Sequence, residues 1–173
     1  MLAKPYLIFL RGLVLILTFI ACASSAAADP LRQKLFTNID ELVAQVKAEG
    51  AALLAPVSFE EGMDAYNDAD NLYKKNKSVE RIKKEIDKAA AEFNKSLETV
   101  KLANITFKSA LKARNDAKGV EAERLSSEQW QKAERQFKSA ARALEVGSLA
   151  NARKKSGSAE TIYREAELTA IKS

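Results

Sequence analysis

The sequence predicts an all-α protein, and three observations lead to this prediction. Apolar residues recur at three- and four-residue steps in five successive segments, which is the period of a helix face. Only three prolines and six glycines occur in 173 residues, so the chain has few helix breakers. Acidic residues stand four positions before basic ones, as in Glu128 and Lys132, and such pairs support a helix. The predicted architecture is an elongated bundle of helical hairpins.

The first predicted helix begins at Asp29-Pro30, because Asp can cap free amide groups and Pro is tolerated in the first turn. Gly50 ends or bends this helix. The following residues, 51–55, are compatible with either a helical extension or a turn, and this segment ends at Pro56. The apolar stripe of the helix consists of Leu31, Leu35, Ile39, Leu42 and Val46.

The second and third predicted helices each begin at a serine. Ser58 and Glu61 form a capping box, and the polar stretch 74–77 ends the second helix. Ser78 caps the third, whose apolar stripe continues to Leu111 and which ends near Gly119. About 40 residues at 1.5 Å each predict one central helix ~60 Å long.

Two more helices complete the prediction. Ser126 and Gln129 form another capping box before the fourth helix, and Gly147 ends it. Ser148 then caps a fifth helix that continues to about residue 171.

An internal repeat of about 70 residues is predicted from matching stripes. The second and fourth helices align at an offset of 71, as Phe59 with Trp130, and the third and fifth at 70, as Phe93 with Tyr163. Aromatic and small residues alternate along each stripe, so a Gly or Ala allows close approach and an aromatic ring fills the remaining space. The predicted hairpin repeats span 57–118 and 126–171. The end of the long helix, 102–118, then needs a cover, either the first helix or another chain.

The N-terminus predicts export. A basic start followed by a short apolar segment is typical of a signal peptide, here residues 1–21. Phe19-Ile20-Ala21-Cys22 resembles a lipobox, in which signal peptidase cuts before a cysteine that carries diacylglycerol. Cys22 directly follows the apolar core and is the only cysteine, so it is the predicted lipid-attachment residue. Ordinary cleavage after Ala28 and an uncleaved anchor over 12–28 are the alternatives.

The predicted domain organisation follows from this leader. Residues 22–28 form a tether and 29–173 form the helical domain. Ala23 follows the cysteine, and in lipoproteins that pattern implies sorting to the periplasmic face of the outer membrane; the alternative is a soluble periplasmic protein.

A resemblance covers most of the mature chain. The run Leu54-Ala55-Pro56 to Phe59, the Ala/aromatic stripes and Trp130-x-x-Ala-x-x-x-Phe137 resemble the helical N-terminal region of outer-membrane-protein-A-like envelope proteins. The hairpins are also similar to tetratricopeptide hairpins, although the helices are longer. The resemblance implies a helical envelope lipoprotein, standing alone or forming part of a longer protein. It carries over no peptidoglycan-binding residues.

Composition argues against an enzyme. The sequence has no histidine and one cysteine, which removes the commonest general base and rules out thiolate metal clusters. We therefore expect no catalytic residues, no metal and no cofactor. The net charge is +5, of which Lys4 and Arg11 in the leader contribute two. The remaining charges are interspersed, so nucleic-acid binding is not expected.

The predicted function is that of a non-enzymatic, lipid-anchored envelope protein acting as a scaffold or protein-interaction module. Its expected partners are the membrane, through the lipid, and other envelope proteins, with homo-oligomerisation through the long helix as a further option. The alternative is a soluble accessory protein that binds a small or apolar ligand in a groove between hairpins, lined by Tyr66, Tyr73 and Trp130.

Overall fold

The helical periodicity of the sequence corresponds to eight helices in this computed structural model, which describes residues 29–173. The signal peptide, Cys22 and the tether lie outside the described residues, and the all-α prediction is confirmed for the rest. The helices are α1 (Pro30–Ala48), α2 (Ala51–Leu54), α3 (Pro56–Lys74), α4 (Val79–Thr106), α5 (Lys108–Gly119), α6 (Ala122–Leu125), α7 (Ser127–Glu145) and α8 (Leu149–Ile171).

The start of α1 follows the predicted chemistry. The Asp29 carboxylate accepts a hydrogen bond from the Leu31 amide at 2.9 Å, and Pro30 takes the first helical position. Gly50 has a φ of +72°, a conformation that glycine adopts without steric cost, and it turns the chain into α2. Within the ambiguous segment 51–55, residues 51–54 form the short helix α2, and Ala55 leaves the helical conformation with a φ of −141°.

Four helix starts differ from the predicted serine caps. α3 begins at Pro56 and α7 at Ser127, and in neither helix does the residue before the first turn cap the helix with its side chain. The Ser58 hydroxyl instead donates to Glu145, and the Ser126 hydroxyl donates to the carbonyl of Ala166 at 2.8 Å. Ser78 and Ser148 also precede their helices without capping them. Ser58 and Ser126, which the local pattern assigned to caps, thus bond to groups on other helices.

The prediction of a single central helix of about 40 residues is wrong. It is divided at Phe107, where φ is −107° and ψ is 15°, into α4 of 28 residues and α5 of 12 residues. The apolar stripe continues through the division, but the packing partner changes: α4 lies against α3 and α1, whereas α5 lies against α8. Phe107 is 1% exposed and contacts Phe137 edge-on, with ring centroids 5.5 Å apart. The bend thus occurs where the chain passes from one set of partners to the next.

The last part of the predicted long helix, α5, packs against α8 of the same chain and not against the first helix, whereas Ile105 before it is 78% exposed. Two hairpins, α3 with α4 and α7 with α8, form the main helix pairs, while α1 packs on α4 and α5 on α8. The two sets of helices meet where α7 contacts α2, α3 and α4. α5 ends at Gly119 as predicted, although the left-handed residue beyond it is Glu121, with a φ of +56°.

Close approach within the first hairpin depends on Gly62. A Cβ atom built at Gly62 would lie 2.6 Å from two ring carbons of Phe93, which is itself fully buried. The predicted pairing of a small residue with an aromatic ring is confirmed at this position, where the missing side chain makes room for the ring. The buried stripes elsewhere consist largely of alanines, such as Ala65 and Ala69 on α3.

The two halves of the body have similar local geometry. α2 begins at residue 51 and α6 at residue 122, and α3 and α7 both contain 19 residues. Ala55 (φ −141°, ψ 59°) and Ser126 (φ −136°, ψ 52°) adopt nearly the same conformation. The residues with positive φ also correspond at an offset of 71: Gly50 corresponds to Glu121, and Asn76 corresponds to Gly147.

Aromatic contacts also correspond between the halves. Phe36 packs edge-on against Tyr66 at 6.2 Å, and Phe107 packs against Phe137 at 5.5 Å. A second contact joins the helices of each hairpin: Phe59 with Phe93 at 6.4 Å, and Trp130 with Tyr163 at 5.4 Å between ring centroids.

We predict that Gly62→Ala lowers the free energy of unfolding by about 1–3 kcal/mol, because the added methyl group displaces the buried Phe93 ring. Gly157→Ala is the matched control, since a Cβ there meets nothing within 4 Å and alanine favours a helix interior. Urea unfolding followed by circular dichroism measures both changes. Equal stability of the two variants would contradict the packing role of Gly62.

Candidate functional site

A groove of about 400 Å³ lies between α2 and α7, where the two halves of the body meet. Leu53 is half-buried and provides apolar surface, while Arg135 and Lys138 are exposed at the rim. The lining residues are Ala52, Leu53, Glu134, Arg135 and Lys138. This groove joins apolar surface to two cationic side chains.

Glu134 forms one wall of the groove and is fully engaged by its neighbours. It accepts hydrogen bonds from Arg114 Nε at 2.7 Å and from Arg114 Nη2 at 3.3 Å, and the buried Tyr163 hydroxyl donates to it at 2.6 Å. Burial, and then the bond to Glu134, raise the pKa of Tyr163 well above its usual range. Burial alone would lower the pKa of Arg114, but the adjacent carboxylate raises it overall. The network therefore fixes α5, α7 and α8 together and leaves Glu134 little freedom for a reaction.

The Arg114 guanidinium also lies over the Trp130 ring, 5.4 Å from its centroid. Trp130 is only 8% exposed and belongs to the core. Its contact with Arg114 is a cation–π interaction, which adds to the hydrogen bonds that hold the guanidinium beside Glu134.

The two rim cations differ in their partners. Lys138 Nζ lies 3.3 Å from a Glu60 carboxylate oxygen on α3, and both side chains are about half exposed. Within residues 29–173, Arg135 makes no ion pair. Surface pairs of the Lys138 type contribute little to stability. Both cations are therefore accessible to an anionic group that enters the groove.

Glu145 makes a second link between the halves. Its carboxylate accepts hydrogen bonds from the backbone amides of Val57 at 2.9 Å and Ser58 at 2.8 Å, and from the Ser58 hydroxyl at 2.6 Å. These amides belong to the first turn of α3, where a helix has unpaired donors and favours negative charge. A residue at the end of α7 thus caps a helix in the other half of the body.

The aromatic residues predicted to line a ligand groove do not come together. Tyr66 donates to Asp40 at 2.6 Å and accepts from Arg32, Tyr73 donates to Asp29, and Trp130 lies in the core of the other half. Tyr73 does line a smaller cavity, at the end of the first hairpin.

The groove residues are not evident from the sequence, because they lie outside the apolar stripes. Arg135 and Lys138 are ordinary exposed positions on an amphipathic helix, and only the packing of α2 against α7 places Leu53 beside them. The one indication in the sequence is the pair Leu53-Leu54. Two adjacent leucines cannot both lie on one helix face, so one of them points to a second surface.

Neither a metal site nor a membrane span is found in the described part of the chain. Residues 29–173 contain no group of three or more His, Cys, Asp or Glu side chains placed to hold a metal ion. Among the same residues, no helix combines the length and apolar character needed to cross a membrane.

Glu145→Ala is expected to lower the free energy of unfolding by about 1–3 kcal/mol, because two buried or half-buried amides and a hydroxyl lose a charged acceptor. Glu165→Ala, at an exposed position of α8, is the control for the loss of a helical glutamate. Thermal unfolding monitored by circular dichroism compares the two. A melting temperature unchanged in both variants would show that the Glu145 link contributes no stability.

Similarity to known proteins gives no family for this chain. No protein-family model matches it, and neither the curated proteins nor the solved structures contain a significant match.

Proposed function

We propose that this protein is a non-enzymatic, lipid-anchored envelope protein that acts as a scaffold or protein-interaction module. The observation that carries the proposal is the groove between the halves, whose apolar floor and two exposed cations form a recognition surface without an adjacent reactive group. The export leader and the lipobox-like sequence ending at Cys22 supply the proposed location, the periplasmic face of the outer membrane.

The non-enzymatic part of the proposal is supported by the way polar groups are used. Glu134, the carboxylate nearest the groove, is held by Arg114 and Tyr163, and Glu145 is held by the amides of α3. Within residues 29–173, every fully buried side-chain nitrogen or oxygen has a hydrogen-bond partner. Groups saturated in this way stabilise helix packing and are poorly suited to exchange protons with a substrate.

We further propose that the body consists of two copies of a unit of about 70 residues, as the stripe alignment predicts. The similar turn conformations at Ala55 and Ser126 support this proposal, as do the corresponding aromatic contacts. In the first unit the α2 surface is Ala52 and Leu53, whereas the corresponding positions of the second unit are Glu123 and Arg124. A polar outer face is typical of a terminal repeat, which needs no further neighbour.

The partner that fits the groove is another envelope protein presenting a segment with both apolar and acidic side chains. The apolar part would cover Leu53 and the acidic part would pair with Arg135 and Lys138, since complementary charge steers association and fixes register. The second candidate is a soluble periplasmic protein that binds a small apolar ligand, which is favoured by the groove volume of about 400 Å³.

We predict that Cys22→Ser abolishes acyl labelling and releases the protein from membranes, because the cysteine sulfur is the only proposed attachment point for lipid. Metabolic labelling with a fatty-acid analogue and membrane fractionation measure the two effects. Ser24→Ala is the control, since it changes the tether without removing the thiol. Unlabelled wild-type protein that still partitions into membranes would refute the anchor.

A photo-crosslinking amino acid at position 135 is expected to yield a discrete protein adduct in intact cells, identified by mass spectrometry. The same probe at Lys154, an exposed position on α8, is the control. Leu53→Lys should remove the adduct by adding positive charge to the apolar floor. Equal adduct patterns at both positions would contradict a partner in the groove, and the absence of any adduct favours the small-ligand alternative.

A further inference from the structure

The end of the body at which the described chain begins carries a second, smaller cavity of about 230 Å³. It lies where the start of α1 meets the turn between α3 and α4. Two of its apolar side chains remain open to solvent: Leu31 is 46% exposed and Val79 is 38% exposed. The lining residues are Leu31, Tyr73, Asn76, Lys77, Val79 and Ile82.

The turn beside this cavity is strongly basic. Its sequence is Lys74-Lys75-Asn76-Lys77, and all four residues are exposed. Lys74 pairs with Asp70 at 2.5 Å, while Lys75 and Lys77 make no ion pair within residues 29–173. The turn between α7 and α8 differs, since it has no lysine and presents the exposed Val146 instead.

The chain enters the body at this same end. Asp29 is fixed there, because its carboxylate accepts hydrogen bonds from the Leu31 amide and the Tyr73 hydroxyl. The tether 22–28 contains seven residues, which span at most ~25 Å when fully extended. A lipid on Cys22 would therefore keep the basic turn within about that distance of the bilayer surface.

We propose that this end is a membrane-contact surface for anionic phospholipid headgroups, an inference that rests on the proposed lipid anchor. Lys75 and Lys77 pair with headgroup phosphates, while Leu31 and Val79 enter the boundary between headgroups and acyl chains. Basic residues near a lipid anchor strengthen attachment to an anionic surface, by roughly a fivefold factor for each lysine. Among the nearest acids, Asp70 pairs with Lys74, and Asp29 keeps its charge while it accepts a hydrogen bond from Tyr73. Lys75 and Lys77 make no ion pair within residues 29–173, so they carry the free positive charge of the turn.

The test uses the acylated protein, extracted from membranes and reconstituted into vesicles. With Cys22 blocked by lipid, Ser78→Cys introduces the only free thiol, which takes an environment-sensitive fluorophore at the basic turn. Ser158→Cys, exposed on α8, carries the control probe. The residue-78 probe should shift to shorter wavelength on vesicles of phosphatidylcholine with phosphatidylglycerol but not on phosphatidylcholine alone, and high salt should reverse the shift.

Charge reversal makes the test specific. Lys74→Glu/Lys75→Glu/Lys77→Glu should abolish the shift, whereas Arg153→Glu/Lys154→Glu/Lys172→Glu, with the same change in net charge, should preserve it. Circular dichroism establishes that both triple variants fold. A residue-78 probe that responds no more than the residue-158 probe, or a shift unaffected by the first triple variant, would overturn the proposal.

Failure of the anchor and failure of the surface give different results. If intact mass shows no acyl group on Cys22, the anchor is refuted, and binding of the unacylated chain to sedimented anionic vesicles tests the surface alone. The first triple variant should then lower that partition coefficient by at least about tenfold. An acylated protein with an unresponsive turn refutes the surface and leaves the anchor in place.

Discussion

The packing of an aromatic ring against a residue with little or no side chain is the constraint on which this fold depends. In the first hairpin the Phe93 ring occupies the space that a Cβ of Gly62 would need. In the second hairpin Tyr163 is fully buried and contacts Trp130 edge-on. Small residues bring the helix backbones close together, and the large rings then supply the buried apolar area that the alanine-rich stripes lack.

Polar contacts connect the helices that this packing brings together. Glu134 receives hydrogen bonds from α5 and α8, and Glu145 caps the start of α3 from the end of α7. Each carboxylate is matched by several donors, so its charge is stabilised and its position is fixed. The same contacts leave Arg135 and Lys138 at the edge of the groove, where their charge is available to a partner. Stability and the proposed recognition would thus use different side chains of one helix.

The two proposed contact surfaces lie at different places and have different chemistry. The groove combines Leu53 with two cations at the junction of the halves, whereas the basic turn lies at the end where the chain enters the body. Attachment through the basic turn would leave the groove open to a second protein, because Arg135 and Lys138 belong to the other half. An anchored protein with a free groove has the arrangement that an adaptor at a membrane surface requires.

The sequence by itself determined the helical class, the start of α1 and the turn at Gly50, because these follow from local periodicity and backbone preference. Tertiary structure alone decided the rest. The long helix bends at Phe107 because its packing partners change, a change that no local pattern records. Ser58 and Ser126 bond to distant groups and not to their own helices, and the groove exists only because α2 and α7 meet. Local sequence specifies elements, whereas contacts between distant elements specify where those elements end and which surfaces they expose.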